Sequence, residues 1–190
     1  LRARLSDIEK SLLEMQELLE KKGIKKQLAV GGEFIDAEKL TAPYVDYMKN
    51  DIDDLFLTMK NLPLGSPLDG KLNSGFGYRK DPFKKKGSFH PGLDIDASYG
   101  DEIVVTADGI VEKAGWYHSY GKTVIVKHEG NFKTLYGHLS SIEVKEGQKI
   151  KAGDIIGKAG STGRSTGTHL HYEIVKDGKR VNPIDFLSLK

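Results

Sequence analysis

At Asn61-Leu62-Pro63-Leu64-Gly65-Ser66-Pro67 the chain changes its hydrophobic period. Prolines 63 and 67 and the glycine between them cannot continue a helix, so the segment divides the chain into residues 1–62 and 63–190. On the N-terminal side Leu1, Leu5, Ile8, Leu12, Met15 and Leu19 recur in alternating steps of four and three, a heptad seam with charged residues between. The pattern fails between Gly23 and Gly32. It resumes near Thr41, a predicted N-cap, with Pro43 tolerated in the first turn. Val45, Met48, Ile52, Leu55, Met59 and Leu62 form a second seam. Two or three heptads are marginal alone, because short helices need packing. Residues 1–62 are therefore expected to form an α-helical hairpin or coiled-coil arm. Such an arm self-associates, or it serves as a regulatory element packed on the second domain or on a protein partner.

After the boundary the composition turns to glycine and β-branched residues. Ile103-Val104-Val105, Gly109-Ile110-Val111 and Asp154-Ile155-Ile156-Gly157 read as strands. Thr123 to His128 and Lys133 to Tyr136 read as a hairpin around Glu129-Gly130-Asn131. A last strand runs from His169 to Val175 and meets a hairpin turn at Lys176-Asp177-Gly178-Lys179. This density of short strands predicts an all-β domain, a sandwich or small barrel, over residues 63–190.

The totals exclude several classes. Residues 1–62 carry 10 Lys and Arg against 12 Asp and Glu, and residues 63–190 carry 19 against 15. The second part is only mildly basic, far from the footprint of a nucleic-acid binder. There is no cysteine, so thiolate metal sites and disulfides are both absent. No apolar run approaches the roughly 18 residues of a membrane span. The chain starts at Leu1 in mid-pattern, which reads as a fragment or processed form with room for a signal or membrane anchor upstream.

Four of the six histidines sit in three short segments: His90-Pro91-Gly92-Leu93-Asp94, Tyr136-Gly137-His138-Leu139 and His169-Leu170-His171. Residues i and i+2 of a strand share a face, so His169 and His171 present two imidazoles side by side. Glu173 continues that face and is placed to orient one of them. Two neutral imidazoles and one carboxylate suit a catalytic zinc that keeps a fourth position open. Taken singly, each segment has an ordinary alternative: a polar stripe on a strand, or a hydrogen-bonded surface pair. Asp94 and Asp96 share parity against Leu93 and Ile95, so alternation alone does not choose between them as ligand. His118 and His128 lack such company and read as structural. Gly163-Arg164-Ser165-Thr166-Gly167 has the spacing of a serine-hydrolase elbow. It lies in a Gly/Ser/Thr loop running into a strand, however, where the elbow needs strand, turn and helix.

In combination and order these segments resemble the lysostaphin/LytM-type zinc metallopeptidases. The resemblance rests on His90-x-x-x-Asp94, on Tyr136-Gly137-His138-Leu139, and on Gly-Ser-Thr-Gly-Arg-Ser-Thr-Gly-Thr-His-Leu-His-Tyr-Glu at 160–173. Asn73-Ser74-Gly75-Phe76-Gly77-Tyr78-Arg79 and Val181-Asn182-Pro183 extend it over residues 68–187. It implies a fold of two antiparallel sheets with zinc in an open groove. It also implies His90, Asp94 and His171 as metal ligands, with Asp96 set aside. His138 and His169 would be the catalytic pair flanking the reacting water, which zinc can acidify to a pKa of about 7. The implied substrate is a peptide bond of bacterial peptidoglycan, in the stem peptide or the cross-bridge, and the implied setting is extracytoplasmic, periplasm or cell wall. A different class within the same resemblance is a non-catalytic wall-binding activator of another cell-wall hydrolase. A biotinyl- or lipoyl-type carrier is disfavoured, because Lys113 lacks the required hairpin context. The basic run from Arg79 to Lys86 reads as a solvated surface loop or a patch for anionic wall polymers.

Overall fold

In the computed structural model the described residues are Lys10, Leu13, 42–80 and 86–187. The first predicted seam, the Thr41 cap and most of the basic run lie outside them. The chain divides into two compact units, Leu1–Met59 and Lys60–Lys190. Helix α1 spans Ala42–Asn61 and carries Lys60 in its last turn, where a cation complements the helix dipole. Within the predicted second seam Leu55 is buried, at 2% exposure, but Ile52 is 37% exposed. The helix stops at Asn61, so buried Leu62 belongs to the segment beyond it. Among the described residues no helix is long and apolar enough to cross a membrane.

The second unit is mostly β. Its main sheet holds eight strands: β1 (Leu72–Ser74), β4 (Leu93–Asp96), β6 (Gly109–Trp116), β7 (Lys122–Lys127), β8 (Phe132–Leu139), β10 (Lys149–Ile150), β12 (His169–Lys176) and β13 (Lys179–Val181). They run in the order β1-β4-β12-β8-β7-β6-β10, and every pairing is antiparallel. β13 also pairs with β12, along the C-terminal half of the edge that β4 occupies at the other end. A three-stranded sheet joins β5 (Glu102–Val104), β11 (Ile155–Lys158) and β9 (Ser141–Ile142). A separate hairpin pairs β2 (Gly77–Lys80) with β3 (Gly87–His90), and a short helix, α2 (Ile184–Leu187), follows β13.

The fold thus has several antiparallel sheets, as expected, but three rather than two among the described residues. The extra sheet arises at Pro91-Gly92, where the chain leaves the hairpin for the main sheet. A Cβ at Gly92 would collide with the Tyr172 carbonyl, so only glycine lets the bend lie this close to β12. The predicted turns at 129–131 and 176–179 are both present. Asn131 and Asp177 adopt positive φ of 60° and 49°, conformations that Asn and Asp tolerate well.

The core follows from alternation. β12 turns Leu170, Tyr172 and Ile174 to the same side as Leu93 and Ile95 of β4 and Tyr136 of β8, and all are buried. Each large aliphatic side chain buried there contributes about 1.5–3 kcal/mol. The two tyrosine hydroxyls are not orphaned: both meet Thr106 Oγ1, at 3.1 Å for Tyr136 and 2.8 Å for Tyr172. A core of this depth lets the opposite face of β12 and β4 carry polar groups in fixed positions.

Candidate metal centre

That opposite face floors a groove of about 450 Å³, lined also by Asn73, Arg79, Phe89, Tyr120, Arg164 and Thr166. In the β4–β12 register His171 faces Asp94, and His169 faces Asp96. Residues opposite one another share a face, which brings His169, His171 and Asp94 together. The choice that parity left open is made here, because Asp94 is buried among the histidines whereas Asp96 is exposed. His90 arrives from the β2–β3 hairpin, at the end of β3, across the Pro91-Gly92 bend.

Three donor atoms converge. His171 Nδ1 lies 2.8 Å from Asp94 Oδ1, His90 Nε2 lies 3.1 Å from the same oxygen, and the two ring nitrogens are 3.2 Å apart. The far side of each ring is committed. His90 Nδ1 donates to the Gly75 carbonyl at 2.7 Å. His171 Nε2 donates to Glu173 Oε1 at 3.1 Å. Neutral rings with those partners turn lone pairs inward, so three acceptors face one point. Tetrahedral zinc, with bonds of about 2.0–2.1 Å, holds its donor atoms roughly 3.3 Å apart, close to the observed spacing. His90, Asp94 and His171 therefore fit a metal ion, and they form the one such group among the described residues.

The electrostatics lead to the same place. Burial works to raise the Asp94 carboxyl, but hydrogen bonding and charge from His171 and His90 outweigh it and hold the group well below the usual carboxylate range. Burial works to lower His171, yet Asp94 and Glu173 raise it. Both shifts describe a centre that favours positive charge at the His171 Nδ1 side. A proton satisfies two of the donor atoms; a divalent cation satisfies all three. Glu173 is 1% exposed and kept ionised despite burial by His171, by the Tyr120 hydroxyl at 2.6 Å and by Arg180 Nε at 2.9 Å.

His138 and His169 stand beside this group. Their ring centroids are 4.8 Å apart, and His169 Nε2 lies 3.7 Å from Asp94 Oδ1. His138 Nδ1 donates to the Thr162 carbonyl at 2.7 Å and His169 Nδ1 to the Gly167 carbonyl at 2.8 Å. With Nδ1–H so used, Nε2 of each neutral ring carries a lone pair. Burial, reinforced by the neighbouring His169 and His171, lowers His138 to about 4, although the Thr162 carbonyl opposes it. His138 is therefore a neutral proton acceptor at pH 7.

His138 reaches the groove by breaking strand parity. Regular alternation in β8 would send it with Tyr136 into the core. Instead φ is +62° at His138, and the β7–β8 register slips between Lys122↔Leu139 and Val124↔Tyr136. The bulge re-aims the ring, a common use of bulges next to functional sites.

The remaining expectations divide. His128 is buried and structural, bonded to the Asp108 carbonyl and Thr134 Oγ1. His118 is exposed on a 3₁₀ turn, His118–Tyr120. Ser165 lies in the loop before β12, with its hydroxyl donated to Gly167 O at 2.6 Å and no helix following, so there is no elbow. Sequence reasoning missed three groups around the site. Arg79, read as part of a basic loop, donates to Asp94 Oδ2 at 3.2 Å. Tyr120 and Arg180 meet at Glu173 from positions 53 and 7 residues away. Arg79 already stood in the motif from Asn73 onward; no sequence signal marks the other two.

Comparison with known proteins agrees with this architecture. The chain is similar to the peptidoglycan DD-endopeptidase ShyC of Vibrio cholerae, at 35% identity over 90% of this chain and 40% of that protein. It is also similar to the murein hydrolase activator NlpD of Salmonella dublin, at 42% identity over 64% of this chain and 30% of that one. The chain spans about a quarter to two fifths of the length of the curated relatives it matches. Among solved structures it resembles a zinc-containing peptidase from Vibrio cholerae, with TM-score 0.58, 36% identity, and coverage of 62% of this chain and 37% of that one. It likewise resembles the catalytic domain of lysostaphin from Staphylococcus simulans, with TM-score 0.57, 30% identity, and coverage of 63% and 92%. The family model described as Peptidase family M23 matches residues 88–183. With that match running from within β3 past the end of β13 and covering half of the chain, the chain belongs to Peptidase family M23.

Proposed function

We propose that residues 63–190 form a zinc-dependent endopeptidase domain that hydrolyses peptide bonds of bacterial peptidoglycan, in the stem peptide or the cross-bridge. The observation that carries this reading is the convergence of His90 Nε2, Asp94 Oδ1 and His171 Nδ1 beside His138 and His169, whose Nδ1 atoms meet backbone carbonyls. His90, Asp94 and His171 would hold the zinc, and Glu173 orients His171. Zinc supplies Lewis acidity, acidifying water and polarising a carbonyl oxygen. The protein's own groups handle the protons. One of His138 and His169 takes the proton of the attacking water at Nε2 and passes it to the leaving amine, while the other, carrying a proton on Nε2, would donate to the developing oxyanion. Such groups contribute about 10²–10⁴-fold each. The likeness to ShyC supports peptidoglycan as substrate and an extracytoplasmic setting.

A second reading has its own support, the likeness to the activator NlpD. In it the domain binds the wall and stimulates another hydrolase. Digestion of peptidoglycan by wild type and His171→Ala, with product masses and zinc content measured on both, separates the two. Cleavage by wild type alone, with zinc lost in the mutant, supports the enzyme. Bound zinc without cleavage supports the activator.

Residues 1–62 are proposed as a regulatory or partner-binding arm. Lys60 O accepts from Asp108 N, and Asn61 donates to Glu129, both within the second unit, so a truncation should remove residues 1–59 only. Activity that is preserved or raised supports regulation. A folded but inactive truncation rejects an arm that covers the groove.

A further inference from the structure

We propose that Arg79 is a positioning residue that holds Asp94 to the metal through one oxygen only, so that a coordination position stays open. The inference rests on the ligand reading above and concerns how one ligand is held. The two oxygens of Asp94 have different partners. Oδ1 faces both ligand histidines, at 2.8 Å and 3.1 Å, while Oδ2 accepts from Arg79 Nη2 at 3.2 Å. A directional donor on the second oxygen holds the carboxylate plane against the rotation that would turn both oxygens onto one cation. The guanidinium is planar and always charged, which suits it to fix a carboxylate plane.

The placement has a local cause. Arg79 lies on β2 opposite Ser88 of β3, and β3 ends two residues later at His90. One hairpin therefore carries both a ligand and the group that restrains another ligand. Asp94 itself belongs to the main sheet. Restraint of Asp94 is thus tied to the docking that brings His90 in.

Charge decides which property Arg79 serves. A guanidinium beside a divalent cation repels it, so Arg79 does not increase metal affinity by Coulomb attraction. Its contribution is to geometry. With three single-atom donors the chain leaves the fourth position of a tetrahedral ion open, as catalytic zinc requires. Once Arg79 is removed, Asp94 Oδ2 is free to swing onto the ion as a further donor, which makes the ion with its water five-coordinate instead of four-coordinate.

The test uses the full chain, stripped of metal and loaded with Co²⁺, whose visible spectrum absorbs strongly when four-coordinate and weakly when five-coordinate. Arg79→Met should bind Co²⁺ as tightly as wild type or more tightly, yet absorb several-fold less. Its zinc form should lose about 10–100-fold in kcat with little change in KM. Arg79→Lys, which still presents a donor to Oδ2, should keep the wild-type spectrum. Should Arg79→Met fail to fold, Arg79→Gln takes its place with the same expectation, because a single neutral amide restrains Oδ2 weakly. A wild-type spectrum in the neutral variants overturns the inference while leaving the ligand reading intact. Failure of the wild-type chain to bind Co²⁺ overturns the ligand reading itself.

Discussion

Strand β12 and the end of β8 each deliver histidines to one groove, by opposite means. β12 keeps strict alternation from His169 to Ile174, so His169 and His171 line the groove, Glu173 lies on the same face beneath them, and the even positions fill the core. β8 abandons alternation at His138, with φ of +62° and a slipped register against β7. The difference follows from what each strand supplies. A regular strand can present two residues 2 apart, but it cannot turn adjacent positions to one face. Gly137 of β8 faces His171 in register, and a side chain there would contact Tyr120 and His171. The third histidine comes one position later, and only a bulge returns it to the groove.

This contrast can be tested from both sides. The largest effect is expected at the regular strand. His171→Ala should reduce zinc from about one per chain to background and abolish cleavage of peptidoglycan. A mutant that kept both would break the assignment of β12 as the metal-binding strand. At the bulge, His138→Gln should keep the zinc and lower kcat by about 10²–10⁴-fold. Loss of metal in that variant would erase the distinction between the two strands. On the buried face of β12, Ile174→Ala should cost about 2–5 kcal/mol in urea unfolding while zinc content and kcat at 25 °C are retained. A large fall in kcat without loss of stability would mean that the two faces are not independent.

The smallest effect concerns a histidine that uses neither device. His128 is buried at the β7–β8 turn, and burial lowers its pKa against the weaker opposing pull of Asp108. Below about pH 6.5 the unfolded chain gains a proton that the native His128 refuses. Stability from this group is therefore complete above that pH and falls as pH drops toward the depressed folded value. His128→Gln should flatten the slope of the urea midpoint between about pH 6.5 and 5. An unchanged slope would assign the acid sensitivity to other groups.

Much of the fold was readable along the chain because its signals are local. Alternation, turn residues and the proline-glycine boundary each act within a few residues, and the observed strands and hairpin turns follow them. The histidine segments were readable for the same reason: i, i+2 on a strand and a short His-to-Asp loop are local arrangements. What lay beyond reach depends on which strands become neighbours. Parity could not separate Asp94 from Asp96 until β4 paired with β12 and buried one of them. Nor could it foresee that His138 would leave the face its position assigns, because the bulge is specified by register with β7. Arg79, Tyr120 and Arg180 carry no local mark of their partners, since each meets its carboxylate only when separate strands and a turn pack together. The chain alone thus supplied the donor chemistry and the strand grammar. Tertiary packing chose which carboxylate is desolvated, which ring nitrogen is left free and which oxygen is restrained, because each choice depends on groups far apart in sequence.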